Sequence, residues 1–107
     1  MAAEVPDAPT NLVRLHASSA FITIGWSQPN YNGGTGITSY KVYWDLASNG
    51  LTFTLLENLE LADSLLYTYQ QGLITGKTYR FKVSAVNWIG ESPLSQEIQV
   101  IAADFPE

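Results

Sequence analysis

Apolar and polar residues alternate with a period of two along most of the chain, and turn-forming residues interrupt the pattern at intervals of roughly ten. That rhythm predicts seven strands and no helix. The first covers residues 10–15, after the extended lead-in Val5-Pro6-Asp7-Ala8-Pro9, where proline cannot donate to a ladder. The second covers 21–26, with Ile22, Ile24 and Trp26 on one face and Phe21, Thr23 and Gly25 on the other. Residues 27–36 hold Pro29, Gly33, Gly34 and Gly36 and read as a loop. The third strand covers 37–45, with Tyr40, Val42 and Trp44 inward and Lys41, Tyr43 and Asp45 outward. Asn49-Gly50 predicts a hairpin turn into a fourth strand at 51–56, because both residues tolerate positive φ. An acidic link with Glu57, Glu60 and Asp63 leads to a fifth strand at 65–70. A sixth covers 77–87, with Tyr79, Phe81, Val83 and Ala85 in one phase, and a seventh covers 96–102.

Strands this short and this evenly spaced argue for a two-sheet sandwich or a barrel, and the size agrees with one domain. The 107 residues suffice for a small two-layer core, and three Trp, six Tyr and four Phe supply the bulk that fills the space between sheets. The outward residues Lys41, Tyr43 and Asp45, then Arg80, Lys82, Ser84 and Val86, then Glu97, Gln99 and Ile101 predict cross-strand charge pairs on one sheet face.

Charge and chemistry narrow the function. A net charge of −5 disfavours phosphate backbones and anionic membrane surfaces, so neither nucleic acid nor a membrane is an expected partner. No apolar run reaches the ~18 residues of a membrane-crossing helix. With no cysteine there is no disulfide, thiolate metal site or cysteine nucleophile, and none of the six Asn opens an N-glycosylation sequon. The sole histidine, His16, is expected in a surface turn, away from any serine it could activate. Glu57, Glu60 and Asp63 offer oxygen ligands, but their spacing fits no calcium loop, and they read as a solvated acidic segment. No catalytic residue, metal or cofactor is expected, and the chain reads as a non-enzyme.

The ends of the chain echo each other. Ala2-Ala3-Glu4-Val5-Pro6-Asp7 matches Ala102-Ala103-Asp104-Phe105-Pro106-Glu107 in residue type at every position. The echo predicts one unit of a tandem array: a lead-in at residues 1–5, a domain at 6–102, and a linker to a following domain at 103–107.

Several motifs, taken in order, resemble the fibronectin type III family. They are Pro9 and Leu12; Trp26 and Pro29; Gly33-Gly34 and Ile37; Tyr40-Lys41-Val42; Leu73, Gly76 and Tyr79; Phe81-Lys82-Val83-Ser84-Ala85; and Asn87-Trp88-Ile89-Gly90-Glu91-Ser92. The resemblance implies an all-β, immunoglobulin-like, seven-stranded Greek-key sandwich of two sheets. It implies a core of Leu12, Ile22, Ile24, Trp26, Tyr40, Val42, Leu73, Tyr79, Phe81, Val83 and Ala85, with Trp26 central. It also implies that the Tyr79 hydroxyl bonds backbone near Leu73. Two features depart from the family pattern. Thr75 stands where proline is common, and Gln70-Gln71-Gly72 carries one extra residue, which predicts a bulge or extended turn.

The family's roles imply a non-catalytic protein-interaction or spacer module of a larger cell-surface or extracellular protein, monomeric when isolated. Its expected partners are other proteins or neighbouring repeats. The alternatives are an accessory domain of an extracellular carbohydrate-active enzyme and an intracellular cytoskeletal scaffold repeat. The Arg-Gly-Asp motif of integrin-binding members is absent from residues 87–93. The resemblance puts the loops at 27–36 and 87–92 at one pole, where Tyr31, Asn32, Trp88, Ile89 and Glu91 are the candidate partner-binding residues. Large aromatics are frequent interface anchors, and a Tyr flanked by Asn is typical of binding loops. In the competing reading, Trp88 folds back over the sheet edge onto Tyr31 or Pro93.

Overall fold

The computed structural model describes residues 3–18, 20–45, 52–60, 65–70 and 73–102. Seven strands form: β1 (Thr10–Ala17), β2 (Ile22–Ser27), β3 (Ser39–Trp44), β4 (Thr54–Leu59), β5 (Leu66–Tyr69), β6 (Thr78–Val86) and β7 (Ile98–Ile101). They make two antiparallel sheets, β1-β2-β5 and β4-β3-β6-β7, packed face to face as a Greek-key sandwich. β2, β3 and β6 are the central strands, and they carry the strongest apolar alternation.

The inward phases meet between the sheets. Ile22, Ile24, Trp26, Tyr40, Val42, Trp44, Tyr79, Phe81, Val83, Ala85 and Val100 are all buried, while Leu12 and Leu73 are half-buried against them. Trp26 packs against Tyr40 at a ring distance of 5.7 Å. Trp44 gathers Tyr69, Tyr79 and Phe81 at 4.6, 5.7 and 6.3 Å. Such pairs add ~0.5–1.5 kcal/mol to the burial of each ring. Among the described residues, Trp26 Nε1 and the Tyr40 hydroxyl are buried with no hydrogen-bond partner, so both rings are held by packing alone.

Strand ends differ from the alternation pattern where partners intervene. β1 runs on through His16, which therefore lies in a strand rather than a turn and stacks on Phe21 at 4.8 Å. Its ladder to β2 shifts between Thr10 and Val13, where Asn11 takes a left-handed φ of 57°. β3 stops at Trp44, and Asp45, just beyond it, is buried beside Arg80 on the outer face rather than exposed there. It is 1% exposed, it accepts the Arg80 N–H at 2.9 Å, and it pairs with the Arg80 guanidinium at 3.3 Å. β4 begins later than residue 51 and includes Glu57, which pairs with Val42 next to a bulge in the ladder. The expected Asn49-Gly50 turn, the bulge at Gln71-Gly72 and Asp63 lie outside the described residues.

β7 begins only at Ile98 because serine side chains bond the neighbouring strand upstream of it. Ser92 Oγ and Ser95 Oγ accept the Ala85 and Val83 N–H groups at 2.9 Å, while their own N–H groups donate to the carbonyls of the same two residues. Pro93 lacks the N–H of a regular ladder, and the two buried hydroxyls close the gap it leaves.

Candidate polar-loop surface

β6 runs from one pole of the sandwich to the other. At its start, the Tyr79 hydroxyl accepts the Ile74 N–H at 2.9 Å and pins residues 73–77. At its end, Asn87 controls the turn. Its side-chain Oδ1 accepts the N–H groups of Ile89 and Gly90 at 2.8 and 3.1 Å. Its Nδ2 donates to the carbonyls of Glu4 at 2.7 Å and Asn32 at 2.9 Å. One buried amide thus ties three segments together: the lead-in, the loop after β2 and the turn after β6. All four of its hydrogen-bonding positions are filled, the condition under which a buried polar group is stable.

Gly33 makes the clamp possible. Its φ is +86°, and a Cβ there would lie 2.1 Å from the Glu4 carbonyl oxygen and 2.6 Å from Asn87 Nδ2. The Glu4 N–H donates to the Gly33 carbonyl at 2.8 Å, and the Asp7 N–H donates to Tyr31 at 2.9 Å. The lead-in is therefore bonded to the pole along residues 4–7.

Trp88 and Ile89 stand outside this clamp, 83% and 54% exposed, with Val5 and Tyr31 exposed at the same pole. Trp88 does not fold back over the sheet edge: its ring lies in solvent. The Tyr31 hydroxyl donates to Glu4 at 3.4 Å, and slight desolvation, then the negative charge of Glu4, raises its pKa. An open groove of about 360 Å³ runs beside Tyr31, between Gln28 and Ile37.

Glu91 follows Trp88 closely in sequence but serves another surface. Its carboxylate accepts the hydroxyls of Tyr43 and Ser84, the latter at 2.6 Å, and lies 3.6 Å from Lys41 Nζ. Partial burial alone would raise its pKa. The two hydroxyl donors and the Lys41 charge outweigh burial and hold the carboxyl below its ordinary value. Burial, with the Glu91 contact second, pushes the Tyr43 phenol up to about 12. Glu91 thus fastens the turn to the outer face of the four-stranded sheet. On the same face Arg80 joins Asp45 and Glu97, both at 3.3 Å, and Lys82 sits 4.4 Å over the Phe53 ring.

The candidate residues therefore divide. Tyr31, Asn32, Trp88 and Ile89 come together at the pole, Asn32 through its backbone carbonyl and through its Oδ1, which accepts the Gly34 N–H at 2.9 Å. Glu91 does not join them. Asn87, Gly33 and Glu4 are working parts of this surface that residue type alone does not mark, although an Asn three residues before a Gly is a local signal for a side-chain-capped turn. Among the described residues no group of three or more His, Asp or Glu side chains converges in a way that could hold a metal ion.

Comparison with known proteins agrees with the fold. The family model described as "Fibronectin type III domain" matches residues 7–101. The chain is 33% identical over 88 residues to human "Cell adhesion molecule-related/down-regulated by oncogenes", covering 82% of this chain and 7% of that protein. It is 30% identical over 89 residues to mouse "Myosin-binding protein H-like", covering 83% of this chain and 24% of that protein. The solved structure of titin domains A168–A170 superposes with a TM-score of 0.82 at 26% identity, covering 95% of this chain and 34% of that one. The chain thus spans less than a quarter of the length of either relative.

Proposed function

The chain belongs to the fibronectin type III family, and on that premise we propose that it is a non-catalytic protein-contact module, spanning residues 6–102, of a larger multi-domain protein. Its contact surface is the pole built from Tyr31, Trp88 and Ile89. The observation that carries this reading is Trp88, a large aromatic 83% exposed on a turn that Asn87 holds by four hydrogen bonds. A flexible loop would lose entropy on binding; a clamped one has already lost it, so an aromatic presented this way is a low-cost anchor. The name of the human relative, which calls it cell adhesion molecule-related, supports a place at the cell surface or outside the cell. The name of the mouse relative and the likeness to titin support a second reading, an intracellular scaffold repeat. Both readings use the same pole.

The test is a photoreactive residue at position 89 of the intact parent protein, beside a control at exposed Gln99. Crosslinks from position 89 to another domain or another protein, well above those from position 99 and reduced by Trp88→Ala, are the expected result. Equal yields from the two positions would refute the contact surface.

A further inference from the structure

The sandwich has four strand edges, and three of them are blunted. β1 follows Pro9 and twice loses register with β2; β4 bulges opposite Val42 and Tyr43; β7 is entered past Pro93 and flanked by the Arg80–Glu97 ion pair. Proline, bulges and charge are the usual means by which an edge is kept from pairing with another chain. β5 has none of them. Its four residues pair one for one with β2, and residues 65–70 hold neither proline nor charge. The register decides which of its backbone groups are free. The Trp26 N–H donates to the Leu65 carbonyl at 3.0 Å, so Leu65, Tyr67 and Tyr69 turn their backbone groups toward β2. Leu66 and Thr68 turn theirs to the open edge, where no backbone group of the described residues meets them.

Beside this edge the two sheets part. A groove of about 500 Å³ opens between β4 and β5, lined by Leu56, Glu57, Tyr67, Thr68, Tyr69 and Gln70. Tyr67 and Tyr69 stand opposite the inward residues Ile24 and Ile22, so their rings wall the groove, and Trp44 backs Tyr69 at 4.6 Å. Glu57 pairs with inward Val42, which puts its side chain on the inner side of β4, at the mouth of the groove. Burial, and then the charge of Glu57, raises the Tyr67 pKa, as expected of a carboxylate facing that phenol. Among the described residues no Lys or Arg pairs with Glu57. A carboxylate beside aromatic rings is a seat for a cation, and exposed Glu60 and the net charge of −5 favour its approach.

We propose that β5 takes up an extended basic peptide segment of another protein by strand addition, with a Lys or Arg side chain of that segment seated in the groove against Glu57. The added strand lies about 4.8 Å beyond β5 and bonds Leu66 and Thr68. Its side chain opposite Tyr67 points into the groove, and its neighbours two positions away meet Leu56 and Tyr69. The surface is distinct from the Trp88 pole and does not depend on it.

The probe is a blocked heptapeptide, Thr-Val-Thr-Lys-Thr-Val-Thr, whose Lys and two Val share one face of a strand. It is titrated into the chain and followed by backbone-amide NMR. Saturable shifts at the Leu66 and Thr68 amides, with slowed hydrogen exchange there, are the expected result. Replacing the peptide's Lys by Glu should weaken binding about tenfold. Glu57→Gln should erase that preference while leaving the thermal midpoint unchanged. N-methylation of the peptide at the residues that face the edge should abolish binding. Trp88→Ala should leave binding intact, so failure here and failure of the pole are separate results. No saturable binding, shifts centred on residues 88–89, or equal binding of the Lys and Glu peptides would overturn the proposal. So would shifts at Leu66 and Thr68 that grow with chain concentration in peptide-free solution, since a second copy would then be the occupant.

Discussion

The two ends of β6 hold their loops in opposite ways. At the lower end an aromatic side chain does the holding: Tyr79 packs against Trp44 and spends its hydroxyl on the Ile74 N–H. At the upper end a small amide does the holding, and the aromatic beside it, Trp88, is left in solvent. The lower loop is fixed by the core and would be fixed in any sandwich with that core. The upper turn is fixed by a polar clamp that buries no aromatic, which leaves Trp88 free for a task other than folding. The same strand thus separates aromatics that the fold requires from one that it does not.

The comparison breaks most visibly at Trp44. Trp44→Ala removes a ring shared by Tyr69, Tyr79 and Phe81 and should cost ~3–5 kcal/mol in urea denaturation. A loss below ~1 kcal/mol would mean that the aromatic stack is not what organises the lower end.

At the upper end the clamp is the weak point. Asn87→Ala leaves the Glu4, Asn32, Ile89 and Gly90 backbone groups to find other partners, some of them in water, and should cost ~2 kcal/mol. Hydrogen exchange at Ile89 and Gly90 should accelerate with it while exchange within β3 does not. Uniform acceleration across the sandwich would show that the clamp is part of the core rather than of the pole.

Glu91 should supply a smaller, pH-dependent contribution. Its folded pKa lies below the ordinary 4.5, so its stabilisation is fully present above that value and is lost as the pH falls through the lowered one. Because the carboxylate is partly exposed, the loss should stay within the ~1 kcal/mol of a screened surface pair. Glu91→Gln should flatten the stability profile below pH 4.5; an unchanged profile would remove Glu91 from the account.

Strand existence was legible in the sequence because alternation is local: Ile22, Ile24 and Trp26, or Tyr79 through Ala85, declare their shared face within a few residues. Residues that answer to distant partners were not legible. Asp45 is buried on the outer face because Arg80, far along the chain, supplies both a backbone N–H and a guanidinium. The register shift within β4 comes from its pairing with Val42 and Tyr43 of β3, not from local alternation. Glu91 reads as a member of the polar loop until Tyr43 and Ser84 are seen to reach it from the sheet. The pole itself was half legible. Trp88 and Tyr31 stand out by type, but the clamp that presents them joins Asn87 to Glu4, residues from opposite ends of the chain.

The central claim is that Trp88 is dispensable to the fold. The most direct measurement is the thermal midpoint of Trp88→Ala in the isolated chain. The account predicts a change within ~0.5 kcal/mol, a shift of about 2–4 °C at most for a domain of this size. A fall of well over ~10 °C, the scale of a lost core contact, would place Trp88 among the packing residues and contradict it.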